Sequence, residues 1–146
     1  MNGQAIDILL VEDNEDDILI IHEVFADMKW ATIVNTVRDG EEALDYLQQK
    51  GKYNMARMPN LLLLDINMPK MNGFEVLQEV KRESRLQSLP VVMLTMSQRE
   101  EDVARAYATG ACSFIHKSVA FDQFRERLRK FEHYWTRVSQ VPVIRG

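Results

Sequence analysis

The chain is poor in the features that mark several protein classes. It has one cysteine, Cys112, in 146 residues, so neither an internal disulfide framework nor a cysteine-rich metal site can be built from it. Cys112 reads as a small buried apolar residue. The charge balance is −4, with 18 basic against 22 acidic residues, which argues against a nucleic-acid-binding protein. No apolar run approaches the ~20 residues that cross a bilayer, and the N-terminus lacks the pattern of a secretory signal. A cytoplasmic protein with no membrane role is expected. No Gly-x-Gly-x-x-Gly follows the first apolar run, so a dinucleotide-binding Rossmann domain is disfavoured. His22, His116 and His133 share no metal-ligand spacing. No repeat or low-complexity segment interrupts the chain.

What is present is ordinary in bulk and informative in order. Hydrophobic residues make up 46% and charged residues 27%, enough for one domain with a real core. Five short apolar runs read as strands: Ile6–Val11, Thr32–Val37, Asn60–Asp65, Val91–Thr95 and Ser113–His116. Between and after them lie 3.6-period stripes over Asp16–Met28, Glu41–Gln49, Gly73–Glu83, Glu100–Ala108 and Phe121–Val138. Strands alternating with helices imply βαβ units and a parallel sheet. The runs are apolar at consecutive positions, as in strands covered on both faces. The expected fold is therefore α/β, a five-stranded parallel doubly wound sheet in three α/β/α layers. Asp39-Gly40, Pro59, Pro90 and Gly110 stand at element boundaries. Residues 49–59 read as a longish loop, and Asn72-Gly73 as a turn before a helix.

The chemistry gathers at strand ends. Four leucines, Leu61–Leu64, run directly into Asp65, and Ile8–Val11 runs into Glu12-Asp13. Thr95 closes the fourth run and Lys117 follows the fifth. In a doubly wound sheet these edges converge on one crevice. Three carboxylates packed together repel one another, and a hard cation that takes oxygen ligands, such as Mg²⁺, resolves this. Asp65 can attack a phosphoryl group to give an acyl phosphate, while Lys117 and the Thr95 hydroxyl contact its oxygens. Each residue also has a plainer reading. Asp65 alone could be a turn residue, and Lys117 alone a solvated lysine. Asn14 and Glu15–Asp17 read as the cap and acidic first turn of a helix. Arg125, Arg127, Arg129 and Lys130 read as a solvated face. Phe131, Tyr134 and Trp135 serve core packing or a dimer contact.

The segments Leu10-Val11-Glu12-Asp13-Asn14, Asp65-Ile66-Asn67-Met68-Pro69-Lys70-Met71-Asn72-Gly73, Pro90–Thr95 and Lys117 together resemble the receiver domain of two-component response regulators, over roughly residues 6–135. The resemblance implies the flavodoxin-like receiver fold over residues 1–138, with residues 139–146 a tail and no output domain. It implies that Asp65 accepts phosphate from a sensor histidine kinase. Glu12, Asp13, Asp65 and the Asn67 main-chain carbonyl would hold Mg²⁺, Thr95 and Lys117 would contact the phosphoryl group, and Thr95 with Phe114 would form the switch. Such a protein is a phosphoacceptor and not an enzyme with an external substrate.

The segment Gln48–Pro59, the Thr-x-Ser at 95–97, Lys117-Ser118 and Phe131–Trp135 look like the small receivers paired with bacterial phytochromes. That likeness implies a bacteriophytochrome kinase as donor, a homodimer, and a downstream protein of unknown identity. The chain departs from the family at Ser118, where proline usually follows the lysine, and Phe114 lacks a hydroxyl for the switch. Asn67 and Ser97 hold the positions that tune phosphoryl lifetime. Two other readings stand beside this one. A haloacid-dehalogenase-type phosphatase needs a second aspartate two residues past the nucleophile, where this chain has Asn67. A phosphorylation-independent dimeric binding module would keep the pocket only as a vestige.

Overall fold

A computed structural model describes residues 3–146, so Met1 and Asn2, where the expected domain begins, lie outside the described residues. The strands are β1 (Ile6–Val11), β2 (Ala31–Val37), β3 (Leu61–Leu64), β4 (Val91–Thr95) and β5 (Ser113–His116). The helices are α1 (Glu15–Ala26), α2 (Gly40–Leu47), α3 (Gly73–Arg82), α4 (Glu100–Thr109) and α5 (Phe121–His133). All paired strands are parallel, in the order β2-β1-β3-β4-β5. This is the flavodoxin-like, doubly wound architecture expected from the alternation of runs and stripes.

The leucine run shows how the sequence dictates the layers. Successive side chains of a strand point to opposite faces. Leu62 and Leu64 enter a core shared with α2, α3 and α4, through Leu47, Phe74, Leu77 and Ala106. Leu61 and Leu63 enter a second core shared with α1 and α5, through Ile21, Phe25, Phe124 and Leu128. All four leucines are fully buried, and each such burial stabilises by roughly 1.5–3 kcal/mol. The edge strands differ: β5 and most of β2 are only half-buried. Cys112 lies just before edge strand β5 and is exposed, so the expectation of a buried cysteine is corrected.

Local chemistry fixes the helix ends. Asn72 and Glu75 form a reciprocal capping box at the start of α3, so Asn72-Gly73 is more than a turn. Asn14 and Asp39 cap α1 and α2. Gly110, at φ 121°, ends α4 in a conformation that suits glycine. The 49–59 loop contains a short 3₁₀ turn, Gly51–Tyr53, with the Tyr53 ring 5.0 Å from that of Tyr46. The last helix stops being α-helical at His133. Residues Tyr134–Val138 form a wider π turn, with the Ser139 N–H donating to the Tyr134 carbonyl.

The C-terminal residues are packed against the body. Val141 touches the α1/α5 core, and Ile144 is buried in the α2–α4 core. Asn60, just before β3, donates to the Pro142 carbonyl and accepts from the Asp7 N–H. This strap therefore crosses the N-terminal edge of the sheet, opposite the strand ends that carry Glu12, Asp65 and Lys117. Of the aromatic cluster, Phe131 is buried edge-on to Phe25, Trp135 is half-buried, and Tyr134 is exposed.

Two glycines let backbone segments approach too closely for any side chain. A Cβ at Gly73 would lie 2.2 Å from the Asp65 carbonyl oxygen, and one at Gly40 would lie 2.1 Å from that of Met71. The Gly73 N–H donates to the Ile66 carbonyl, which closes the β3–α3 loop directly behind Asp65. Gly73→Ala should therefore lower stability by about 1–3 kcal/mol through overpacking. Leu63→Ala should cost about 2–5 kcal/mol through its cavity. Urea denaturation checks both; a Gly73→Ala protein as stable as wild type would show that the loop is not closed as described.

Candidate functional site

The C-terminal ends of β1, β3, β4 and β5 meet at the crevice where the strand order turns, the usual ligand position in such sheets. The hydrogen-bond ladder runs past the strand ends and fixes the backbone there. The Asp65 N–H donates to the Val11 carbonyl, the Glu12 N–H to that of Val37, and the Lys117 N–H to that of Thr95. The side chains of Glu12, Asp65 and Lys117 thus stand on rigid elements.

Glu12 and Thr95 are fully buried, Lys117 is 2% exposed and Asp65 is 7% exposed, whereas Asp13 is open to solvent. Carboxylate oxygens of Glu12, Asp13 and Asp65 lie within 4.8 Å of one another. The Lys117 ammonium donates to Glu12 Oε1 at 2.5 Å and to Asp17 Oδ2 at 2.8 Å. It lies 3.6 Å from Asp65 Oδ2, an ionic contact beyond hydrogen-bond reach. Asp65 Oδ1 accepts from the Ile66 N–H at 2.8 Å, which leaves Oδ2 as the freer oxygen. Glu12 Oε2 takes a long hydrogen bond from the Asn14 N–H, 3.3 Å.

The electrostatics follow from crowding. Burial, and then the neighbouring Asp65 carboxylate, push the Glu12 carboxyl up to about 8, against the pull of Lys117. Burial pulls the Lys117 ammonium down, but Asp65 and Glu12 outweigh it and the net movement is upward. One ammonium does not neutralise this group of carboxylates, so the cluster is short of positive charge.

The sequence-predicted residues come together with few exceptions. Thr95 Oγ1 accepts from the Ser97 N–H at 3.3 Å, and Ser97 Oγ bonds Asp102 Oδ2 at 2.5 Å. Asn67 lies exposed in the β3–α3 loop. Phe114 on β5 pairs with Met93 and packs half-buried against the α2–α4 core. No cis peptide bond occurs among the described residues, so Lys117–Ser118 is trans. Ser118 organises the next loop, its Oγ accepting from the Ala120 N–H and bonding Gln123 Oε1. The basic face of α5 is partly engaged: Arg125 pairs with Glu23, and Arg127 donates to the His116 carbonyl.

Sequence reasoning misses Asp17. Its backbone N–H does take part in the expected cap, donating to Asn14 Oδ1, but its carboxylate turns inward to Lys117. A signal is present in the sequence. Asp17 heads the stripe continued by Ile21 and Val24, the face of α1 that is buried.

The chain matches the family model "Response regulator receiver domain" over residues 8–129. It is 38% identical over 139 residues to the response regulator Rcp1 of Synechocystis sp. (strain ATCC 27184 / PCC 6803 / Kazusa), covering 93% of this chain and 92% of that one. It superposes with a TM-score of 0.88 on the crystal structure of the phosphorylated cyanobacterial phytochrome response regulator RcpA. The identity there is 38%, with 94% of this chain and 99% of that chain covered. The Mn²⁺-bound form of Rcp1 gives a TM-score of 0.86 at 36% identity, with 94% and 99% covered. The converging strand ends, the sheet order and these likenesses lead to one assignment: the chain belongs to the response regulator receiver domain family.

Proposed function

We propose that Asp65 accepts a phosphoryl group from the phosphohistidine of a sensor histidine kinase, and that the resulting acyl phosphate changes the contacts the protein makes. The observation that carries this reading is the freedom of Asp65 Oδ2 beside Lys117 and the acidic pair. Oδ2 attacks phosphorus, the new O–P bond forms as the N–P bond breaks, and the histidine nitrogen leaves with the bonding electrons. Lys117 donates to one phosphoryl oxygen and the Thr95 hydroxyl to another. Thr95 moving toward the phosphoryl group gives up its contact with Ser97, and Phe114 repacks behind it. The face around β5 and α4 carries that change to a downstream protein.

The residues fit a divalent cation. The cluster of Glu12, Asp13 and Asp65 offers only oxygen, and the upward push on Glu12 marks a deficit of positive charge. We assign the site to Mg²⁺, which Glu12, Asp13, Asp65 and the Asn67 main-chain carbonyl would hold and which would supply the positive charge that the phosphoryl oxygens need. The likeness to RcpA and Rcp1 supports a phytochrome-type kinase as donor and hence a cytoplasmic protein. The chain turns over no external substrate. An open, mainly apolar groove lined by Cys112, Ile115, Phe131, Tyr134 and Trp135 supports a homodimer. That groove is also the observation favouring a phosphorylation-independent dimeric adaptor, against which the complete set of pocket residues argues.

Incubation with an autophosphorylated bacteriophytochrome kinase should label the protein in Mg²⁺ but not in EDTA, and Asp65→Asn should abolish the label. Labelling by acetyl phosphate alone would remove the proposed donor and leave the mechanism. No label from either would favour the adaptor reading.

Cation binding requires carboxylates without protons. Burial and the Asp65 carboxylate push the Glu12 carboxyl up to about 8, so Glu12 keeps its proton to a higher pH than a free carboxyl. Mg²⁺ affinity should therefore rise as pH increases from about 6 to about 8, with proton release on binding at neutral pH. Calorimetry in buffers of different ionisation enthalpy measures this; Glu12→Gln should abolish the release.

A further inference from the structure

Lys117 has two hydrogen-bonded partners, and they differ in what it costs to abandon them. The Glu12 side chain is 1% exposed, so water cannot replace the ammonium there. The Asp17 side chain is 20% exposed, so water can replace the ammonium there. When a phosphoryl group with its charge of about −2 and three acceptor oxygens appears on Asp65, Lys117 must turn toward it. Asp17 is the partner it can leave.

We infer that Asp17 is a positioning residue that holds the Lys117 ammonium toward α1 before phosphorylation and competes with the phosphoryl group for it. Lys117 is 3.6 Å from Oδ2 and 2.8 Å from Asp17. Glu15 and Asp16 also lie in the first turn of α1, so the macrodipole does not require Asp17. Glu15 is spent on Arg38 at the surface. Asp17 reaches across 100 residues of sequence to Lys117, so its release also frees the first turn of α1 from the β5–α5 loop.

The inference rests on Asp65 being the phosphoacceptor, and fluoroberyllate, a phosphoryl mimic, separates the two claims. Its affinity would be measured with Mg²⁺ by fluorine NMR on the full chain, alongside Mg²⁺ affinity alone. Asp17→Asn should tighten fluoroberyllate by about three- to tenfold, the range for losing a competing, partly exposed charge-assisted hydrogen bond. Mg²⁺ affinity should stay within about twofold. Asp16→Asn removes the same charge from the same turn without touching Lys117, and should change fluoroberyllate affinity less than about twofold. Asp17→Glu should restore wild-type affinity, and Asp17→Ser should repeat the tightening if the asparagine variant folds poorly. Unchanged or weaker fluoroberyllate binding in Asp17→Asn would overturn the inference, weakening of both ligands marking a merely structural role. Equal tightening by Asp16→Asn would overturn it as a general field effect. No binding to wild type would overturn the phosphoacceptor reading, and this inference with it.

Discussion

A single ammonium, 2% exposed, sits among the carboxylates of Glu12, Asp17 and Asp65. Burying charge is costly unless it is paired and hydrogen-bonded. Lys117 meets that condition only because elements far apart in sequence deliver their acids to one point. Glu12 follows β1, Asp17 opens α1, Asp65 follows β3, and Lys117 itself follows β5. The rest of the fold makes this convergence possible. The crowded acids leave the centre short of positive charge, which is why the proposed cation and phosphoryl group would bear on the same few atoms.

The core supplies the rigidity. Leu61–Leu64 lock β3 between two apolar layers, so Asp65 emerges at a fixed height above the sheet. Gly73 lets the first turn of α3 close on the Asp65 backbone, and the capping box holds that turn. At the opposite edge, Asn60 joins the start of β1 to the strap that carries Ile144. Chemistry and closure are thus separated: one sheet edge holds the polar cluster, and the other is sealed by the chain's last residues.

The strands and helices are legible in the sequence because both rest on periodicity. Short runs with apolar residues at consecutive positions, Leu61–Leu64 above all, set between amphipathic stripes, fit strands covered on two sides by the helices those stripes form. Asp65, Thr95 and Lys117 are legible because a polar group ending an apolar run marks the strand edge. Asp17 is overlooked, although it heads the buried stripe of α1, because an acid in a first helical turn already has a sufficient explanation in the macrodipole. Cys112 misleads because burial of a small residue depends on its neighbours, and the edge beside β5 supplies too few. The docking of residues 139–146 depends on contacts such as Asn60 with Pro142, 82 residues apart, which no local pattern encodes. The end of α5 reads as one continuous helix because the apolar spacing of Phe131 and Trp135 fits α and π turns alike.

The central claim is that the Asp65 carboxylate is the group that becomes phosphorylated. Borohydride reduces an acyl phosphate of aspartate to homoserine, so the most direct measurement is peptide mapping by mass spectrometry after phosphorylation and reduction. The account predicts homoserine at position 65 and at no other carboxylate, Asp13 and Asp17 included. Reduction at a different carboxylate, or none at position 65 in phosphorylated protein, would contradict it.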